Sequence, residues 1–339
     1  MKILCVGDPH FRESLPYSGL FPDRRKGEVQ AVLDATVQAS ENCDAVVLLG
    51  DCFDTLNPSA DVIRAFTAFV ERFEGKEVYI LSGNHDKNAK GVATIDYLRE
   101  VRNPKWHIIT NTVEAIDGLV FCPYFFKQEL GVNTNEEAQI LLTEQLPSGK
   151  ILFVHHAISK TFTNGGQSTS IFNEVVLPME LLQERFHWIL GGHIHKNQRY
   201  GSHTVVAGSL FTQEAGDGIK SVWVLDTEKD EIKEIPLPVR PIIRLENPSL
   251  LDLMYLPRHC ILKMVFTQKQ LNSMDEYREF AKCHSDAFIL QEQYPRERLK
   301  KLADDMDLMD ATLSKLIRMY AVQKKLDPEI LIKSWEKIK

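Results

Sequence analysis

Short apolar runs, each followed closely by polar residues, recur through residues 1–225 and constrain the fold more than any other feature. The runs are rich in β-branched residues, and amphipathic stretches with helical periodicity lie between several of them, which is typical of an α/β protein with buried strands. They span 3–6, 45–49, 78–81, 151–154, 188–190, 205–206 and 222–225. The pattern predicts layered sheets flanked by helices.

Most of these runs end in residues that bind cations. Loops after the carboxyl ends of parallel strands face a common crevice, so the groups GDPH, GDCFD, GNHD, HHA and GGHIH are expected to meet there. So many carboxylates and imidazoles are costly to gather unless a cation offsets them. The candidate ligands are Asp8, His10, Asp51, Asn84, His155, His156, His193 and His195.

The donor types indicate the chemistry of the predicted metal site. Carboxylate, amide and imidazole groups without a thiolate suit Mn, Fe or Zn better than a closed structural zinc site. The set is too large for one ion with open positions, which favours two ions that share a bridging carboxylate. Such a pair activates water and clamps phosphate oxygens, so the pattern indicates phosphoester hydrolysis.

Composition leaves the partner open. The chain is 44% hydrophobic and 26% charged with a net charge of -7, so DNA would require a local basic patch, a metal site or another subunit. Residues 24–26 and the Lys196–Arg199 region are candidate patches, although solvated loop charge is an equally good interpretation. Scattered cysteines, no signal-like start and no run of 18 apolar residues predict a cytoplasmic protein without a membrane span.

The order DxH, GDxxD, GNHD, a strand-borne His and GHxH over residues 1–225 resembles the calcineurin-like metallophosphoesterase superfamily. The resemblance implies a layered sheet sandwich flanked by helices and a two-metal centre. It implies one metal held by Asp8, His10 and His195, with Asp51 bridging to the second metal. That metal would be held by Asn84, His193 and one of His155 and His156.

Two details of the implied site concern histidines. His85 would be an imidazole outside the ligand set that protonates the leaving oxygen or stabilises its charge. In relatives whose fourth motif places a small or apolar residue before the His, the second His of VHH is the equivalent. This comparison favours His156 over His155 as the ligand.

Within the superfamily, the opening MKILCVGDPHF and the segment VVAGSLFTQEAGDGIKSVWVLD resemble SbcD-type DNA repair nucleases and their bacteriophage counterparts. The resemblance implies exonuclease and endonuclease activity on DNA in recombination, repair or replication. It favours Mn over Mg, Fe or Zn, and implies a homodimer bound to an SbcC-like coiled-coil ABC ATPase. The short segments between the motifs and the modest chain length favour a phage origin, in which case the protein would be located in the host cytoplasm.

Domain boundaries are predicted from proline content. Four prolines in EIPLPVRPIIRLENPSL indicate a linker between a nuclease domain, 1–240, and a small α+β capping domain, 241–292. The remaining 293–339 reads as a helical tail with an apolar stripe that packs on its own domain or docks on the ATPase.

Two other functions are possible on the same fold, and the residues favour one of them over the other. A cytosolic phosphatase or cyclic-nucleotide phosphodiesterase would share the metal ligands, because these do not name the substrate. A non-catalytic scaffold on the fold would be expected to lack ligands, whereas this chain keeps them together with His85.

Overall fold

The computed structural model describes residues 1–16, 22–163, 166–171, 173–257, 260–267, 273–284 and 287–292. The predicted tail, 293–339, lies outside these residues. Within the described part of the chain, no helix is both long enough and apolar enough to cross a membrane.

The described strands alternate with helices, as the apolar runs predict. The strands are β1 (Lys2–Val6), β2 (Ala45–Leu48), β3 (Glu77–Leu81), β4 (Trp106–Ile109), β5 (Glu114–Ile116), β6 (Leu119–Cys122), β7 (Ile151–Val154), β8 (Ala157–Ile158), β9 (Val176–Leu177), β10 (Trp188–Gly191), β11 (Gln198–Tyr200), β12 (Thr204–Val206), β13 (Ser221–Asp226), β14 (Glu231–Pro236), β15 (Ile242–Glu246), β16 (Ile261–Phe266) and β17 (Ala287–Glu292). The helices are α1 (Pro22–Ala39), α2 (Ala60–Glu71), α3 (Asn135–Gln145), α4 (Met179–Arg185), α5 (Leu250–Met254) and α6 (Met274–His284), with 3₁₀ turns at Thr94–Val101 and Thr169–Ile171.

Two six-stranded sheets form the body of the protein, in the orders β14-β13-β1-β2-β3-β4 and β11-β12-β10-β7-β6-β5. Strands β1 to β4 are mutually parallel, as are β6, β7, β10 and β12. The carboxyl ends of the parallel strands therefore collect at one edge of each sheet, which is where the predicted ligands follow in the sequence.

Alternation along each strand divides the core into three layers. In β1, Ile3 and Cys5 pack between the sheets, whereas Leu4 and Val6 face the helices. Helix α2, capped by Ser59, adds Phe66 to the outer layer of the first sheet, and α3 and α4 cover the second sheet. The predicted layered α/β fold is confirmed.

The linker within the proline-rich segment is shorter than the sequence predicts. Strand β14 runs to Pro236 and β15 begins at Ile242, so only 237–241 connect them. Both strands lie at sheet edges, where proline is tolerated because no inner ladder bond is lost. Strands β15, β16 and β17 form a separate parallel sheet with a core that includes Leu262, Met264 and Tyr277. The division into domains stays a prediction.

Candidate metal centre

All the predicted ligands except His156 come together at the strand ends, and four of them line a cavity of about 290 Å³. Asp8 and His10 follow β1, Asp51 follows β2, and Asn84 and His85 follow β3. The second sheet contributes the histidines after β7 and β10. The cavity is lined by Asp51, Asn84, His85, Thr163, Glu174, His193, Ile194, His195 and Glu214.

Asp51 lies between two groups of donors. Its Oδ1 is 3.4 Å from His155 Nε2, and its Oδ2 is 3.7 Å from His10 Nε2. The backbone N–H of His85 donates to Oδ1 at 2.9 Å and orients the carboxylate. One carboxylate thus presents an oxygen to each side, as a bridging ligand would.

The first group contains Asp8, His10 and His195. The Nε2 atoms of His10 and His195 are 3.0 Å apart, and the two rings meet edge to face. Asp8 is fully buried, yet its Oδ2 has no hydrogen-bond partner, and the same holds for His10 Nδ1. Nδ1 of His10 also lies 3.6 Å from Asp54, which pairs with Arg12, so we interpret Asp54 as orienting the imidazole.

The second group contains Asn84, His155 and His193. The Oδ1 of Asn84 is 3.0 Å from His193 Nδ1 and 3.4 Å from His155 Nε2. Together with Asp51, the two histidines form a cluster whose ligand atoms lie within 4.8 Å of one another.

His156 points away from this group. Its Nε2 accepts the N–H of Phe125 at 3.0 Å, and its ring stacks on Tyr124 with the centroids 4.7 Å apart. The ring placement favours His155, whereas the sequence favours His156, and the choice of ligand stays a prediction. Neighbouring residues at the end of an extended strand project to opposite sides, and it is the ring of His155 that faces Asp51.

Backbone strain is concentrated in the candidate ligands. The φ angles of Asp8, His10, Asp51 and His193 are 31°, 44°, 46° and 72°, in the left-handed region that non-glycine residues rarely adopt. Each such residue costs on the order of 1–3 kcal/mol and persists where its surroundings hold it. Left-handed φ angles at four neighbouring candidate ligands indicate a functional constraint.

Burial and neighbouring charges shift the pKa values of the candidate ligands. Burial raises the pKa of Asp8. Burial acts in the same direction on Asp51, but the charge of His155 outweighs it and holds the pKa of Asp51 well below its usual value. Burial opposes the charged form of His155, yet Asp51 and Asp8 raise its pKa to about 9. Together with the unpartnered Asp8 Oδ2, this donor set fits divalent ions.

His85 lies on the cavity wall with a defined tautomer. Its Nδ1 is 2.7 Å from the carbonyl oxygen of Asp54, which can only accept, so Nδ1 carries a proton. The Nε2 atom remains available for a ligand in the cavity. The ring packs edge to face on His10, with the centroids 4.9 Å apart.

Several supporting residues were not assigned a role from the sequence. Asp86 accepts the N–H groups of Cys52, Phe53 and Gly83, which ties the loop after β2 to the loop after β3. Burial raises its pKa to about 6. Glu174 accepts from His193 Nε2 at 2.9 Å, and no motif surrounds it that would have identified it.

Buried Lys220 is a second missed support. Its ammonium group donates to the carbonyl oxygen of His195 at 2.7 Å and pairs with Asp217 at 3.0 Å. It therefore fixes the backbone that carries a candidate ligand.

Replacing Gly83 with alanine is expected to abolish metal binding at the centre. A Cβ at this position would lie 2.0 Å from Asp51 Oδ1 and 2.3 Å from the Asp51 backbone nitrogen, so the bridging carboxylate must move. Metal content by elemental analysis checks this. Gly27→Ala is the matched control, because a Cβ there meets nothing within 4 Å. Full metal content in Gly83→Ala would contradict the close approach.

The chain was compared with known proteins. Residues 1–197 match the Metallophos family, described as calcineurin-like phosphoesterase. The DNA double-strand break repair protein Mre11 of Thermoplasma acidophilum is 26% identical over 264 residues, which cover 71% of this chain and 68% of that protein.

Two further similarities are weaker or shorter. A subunit of the nuclease SbcCD of Escherichia coli K12 is 30% identical over 105 residues, or 30% of this chain and only 24% of that protein. The crystal structure of TT1561 of Thermus thermophilus aligns with a TM-score of 0.39 and 15% identity, covering 69% of this chain and 98% of that one.

Proposed function

Because this chain belongs to the calcineurin-like phosphoesterase family, we propose that it is a DNA nuclease that hydrolyses phosphodiester bonds with two divalent ions. The observation that carries the proposal is the placement of Asp51, with one oxygen toward each group of donors around a single cavity. Similarity to a double-strand break repair protein and to a nuclease subunit supports DNA as the substrate.

The residues of the centre divide between the two ions. Asp8, His10 and His195 would hold one ion, Asn84, His155 and His193 the other, and Asp51 would bridge them. When bound, such ions activate a water molecule and stabilise the charge on the phosphate. Manganese is the favoured metal, and the same donors also accept Mg, Fe or Zn.

His85 is proposed as the general acid. With Nδ1 engaged by the Asp54 carbonyl, a proton on Nε2 would face the cavity and pass to the leaving oxygen as the phosphorus–oxygen bond breaks. Water supplies the new oxygen on phosphorus and releases one proton to solvent, and the departing strand carries the proton from His85. The backbone N–H of the same residue keeps Asp51 in place during the step.

Linear duplex DNA is expected to be degraded by the purified chain in Mn²⁺ and to stay intact when the metal is chelated. Gel electrophoresis of end-labelled DNA measures both exonuclease and endonuclease cleavage. A phosphomonoester and a cyclic nucleotide serve as control substrates, because a phosphatase or phosphodiesterase on the same fold would turn these over. Rapid hydrolysis of the controls without any cleavage of DNA would overturn the nuclease proposal.

We further propose that the nuclease acts as a homodimer with an SbcC-like coiled-coil ATPase, in recombination, repair or replication of cellular or phage DNA. The tail, 293–339, is the proposed docking element, and the apolar stripe in its sequence supports this. The stripe comprises Leu302, Met306, Met309, Leu313 and Leu316. A pull-down with such an ATPase tests the assignment, since deletion of the tail should abolish capture.

A further inference from the structure

A second group of metal-ligating side chains lies at the opposite end of the sheets from the cavity. His187 directly precedes β10, His203 directly precedes β12, and Asp230 lies in the turn between β13 and β14. The candidate ligands of the centre follow β10, so the length of this four-residue strand, about 13 Å, separates the two ends.

The three side chains face one another closely. Asp230 Oδ1 is 2.7 Å and Oδ2 is 2.9 Å from His187 Nε2, and Oδ2 is 3.5 Å from His203 Nε2. The two imidazole rings lie with centroids 4.1 Å apart. One ring nitrogen of each histidine and a carboxylate oxygen of Asp230 therefore lie close enough to share one ion.

Buried Trp188 orients the carboxylate. Its indole N–H donates to Asp230 Oδ1 at 2.7 Å, and this bond, followed by the contact with His187, lowers the pKa of Asp230. A supporting donor behind a carboxylate is the arrangement found around metal ligands.

We propose that His187, His203 and Asp230 form a binding site for a divalent transition-metal ion, with zinc the best match. Two imidazoles and one carboxylate are common zinc ligands, and solvent can complete a tetrahedral shell. The ligand atoms already lie within 4.8 Å of one another, and the half-exposed rings need only rotate to reach bonds of about 2.0–2.1 Å.

The site would join the two sheets. The histidines belong to the ends of β10 and β12 in one sheet, and Asp230 belongs to the β13–β14 hairpin of the other. An ion bound only by the folded chain raises its stability in proportion to the logarithm of its concentration. The inference is independent of the substrate of the catalytic centre.

The test compares zinc content per chain after dialysis of the full-length protein against Zn²⁺, measured by mass spectrometry. The unsubstituted protein is expected to hold one more ion than His203→Gln or Asp230→Asn. His107→Gln is the matched control, because His107 pairs with a single carboxylate, Glu77, at 2.9 Å and should lose no ion.

A second readout is thermal stability. Zinc is expected to raise the unfolding midpoint of the unsubstituted protein by several degrees more than that of His203→Gln or Asp230→Asn, because the ion binds only the folded chain. Equal zinc content in all four proteins would overturn the proposal. Loss of an ion from His107→Gln would also overturn the zinc-site proposal. If His203→Gln does not fold, the comparison with Asp230→Asn decides the question.

Discussion

Replacing His85 with alanine is expected to lower the rate of DNA hydrolysis by about 10²–10⁴-fold, the contribution typical of a general acid. The ring of His85 would supply the proton through Nε2. The bond that His85 donates to Asp51 comes from its backbone N–H, which alanine keeps. The two-ion content should therefore stay at the level of the unsubstituted protein. Cleavage rate and metal content, measured on the same preparation, check both expectations.

The nature of the leaving group separates acid catalysis from a structural role. A diester with a nitrophenol leaving group needs little protonation, so His85→Ala should lose much less of its rate on this substrate than on DNA. An equal loss on both substrates would show that the ring is not the acid. Loss of metal from the variant would show that it supports the ligands instead.

His155→Gln is expected to lose metal and at least about 100-fold in activity, because an imidazole that faces Asp51 and Asn84 is removed. His156→Gln should keep its metal, since the glutamine carbonyl can accept the Phe125 N–H that His156 now accepts. Metal content and the rate of DNA cleavage, measured on both variants, decide which of His155 and His156 is the ligand.

The two variants are matched in chemistry and in burial, because both histidines are fully buried. A general loss of stability would therefore affect both proteins, and thermal unfolding measures it. The opposite result, with metal lost from His156→Gln and retained in His155→Gln, would restore the assignment that the sequence favoured.

Much of the fold follows from the sequence because each buried strand must be apolar on both faces. The run at 3–6 becomes β1, where Leu4 faces the helices and Cys5 the second sheet, so no polar residue fits. The prolines near 236–241 were harder to interpret. A proline can lie within a strand only if that strand is at the edge of its sheet, and the position of a strand in the sheet is known only from the folded structure.

Supporting residues of the centre were hidden for a related reason. Glu174 and Lys220 lie 19 and 25 residues from His193 and His195 in the sequence, and they come into contact with these residues only in the folded chain. Asp86 was visible within GNHD, but its three backbone donors come from two separate loops.

By itself, the sequence determined that polar donors collect at strand ends, because parallel strands place their carboxyl ends at one edge and a ligand group follows each run. Only the tertiary structure decided which of two adjacent histidines faces Asp51. Consecutive residues at a strand end point to opposite sides, and the side that faces the centre depends on how β7 sits against the loops after β2 and β3. Contact between the β13–β14 hairpin and the starts of β10 and β12, rather than any motif, brings His187, His203 and Asp230 together.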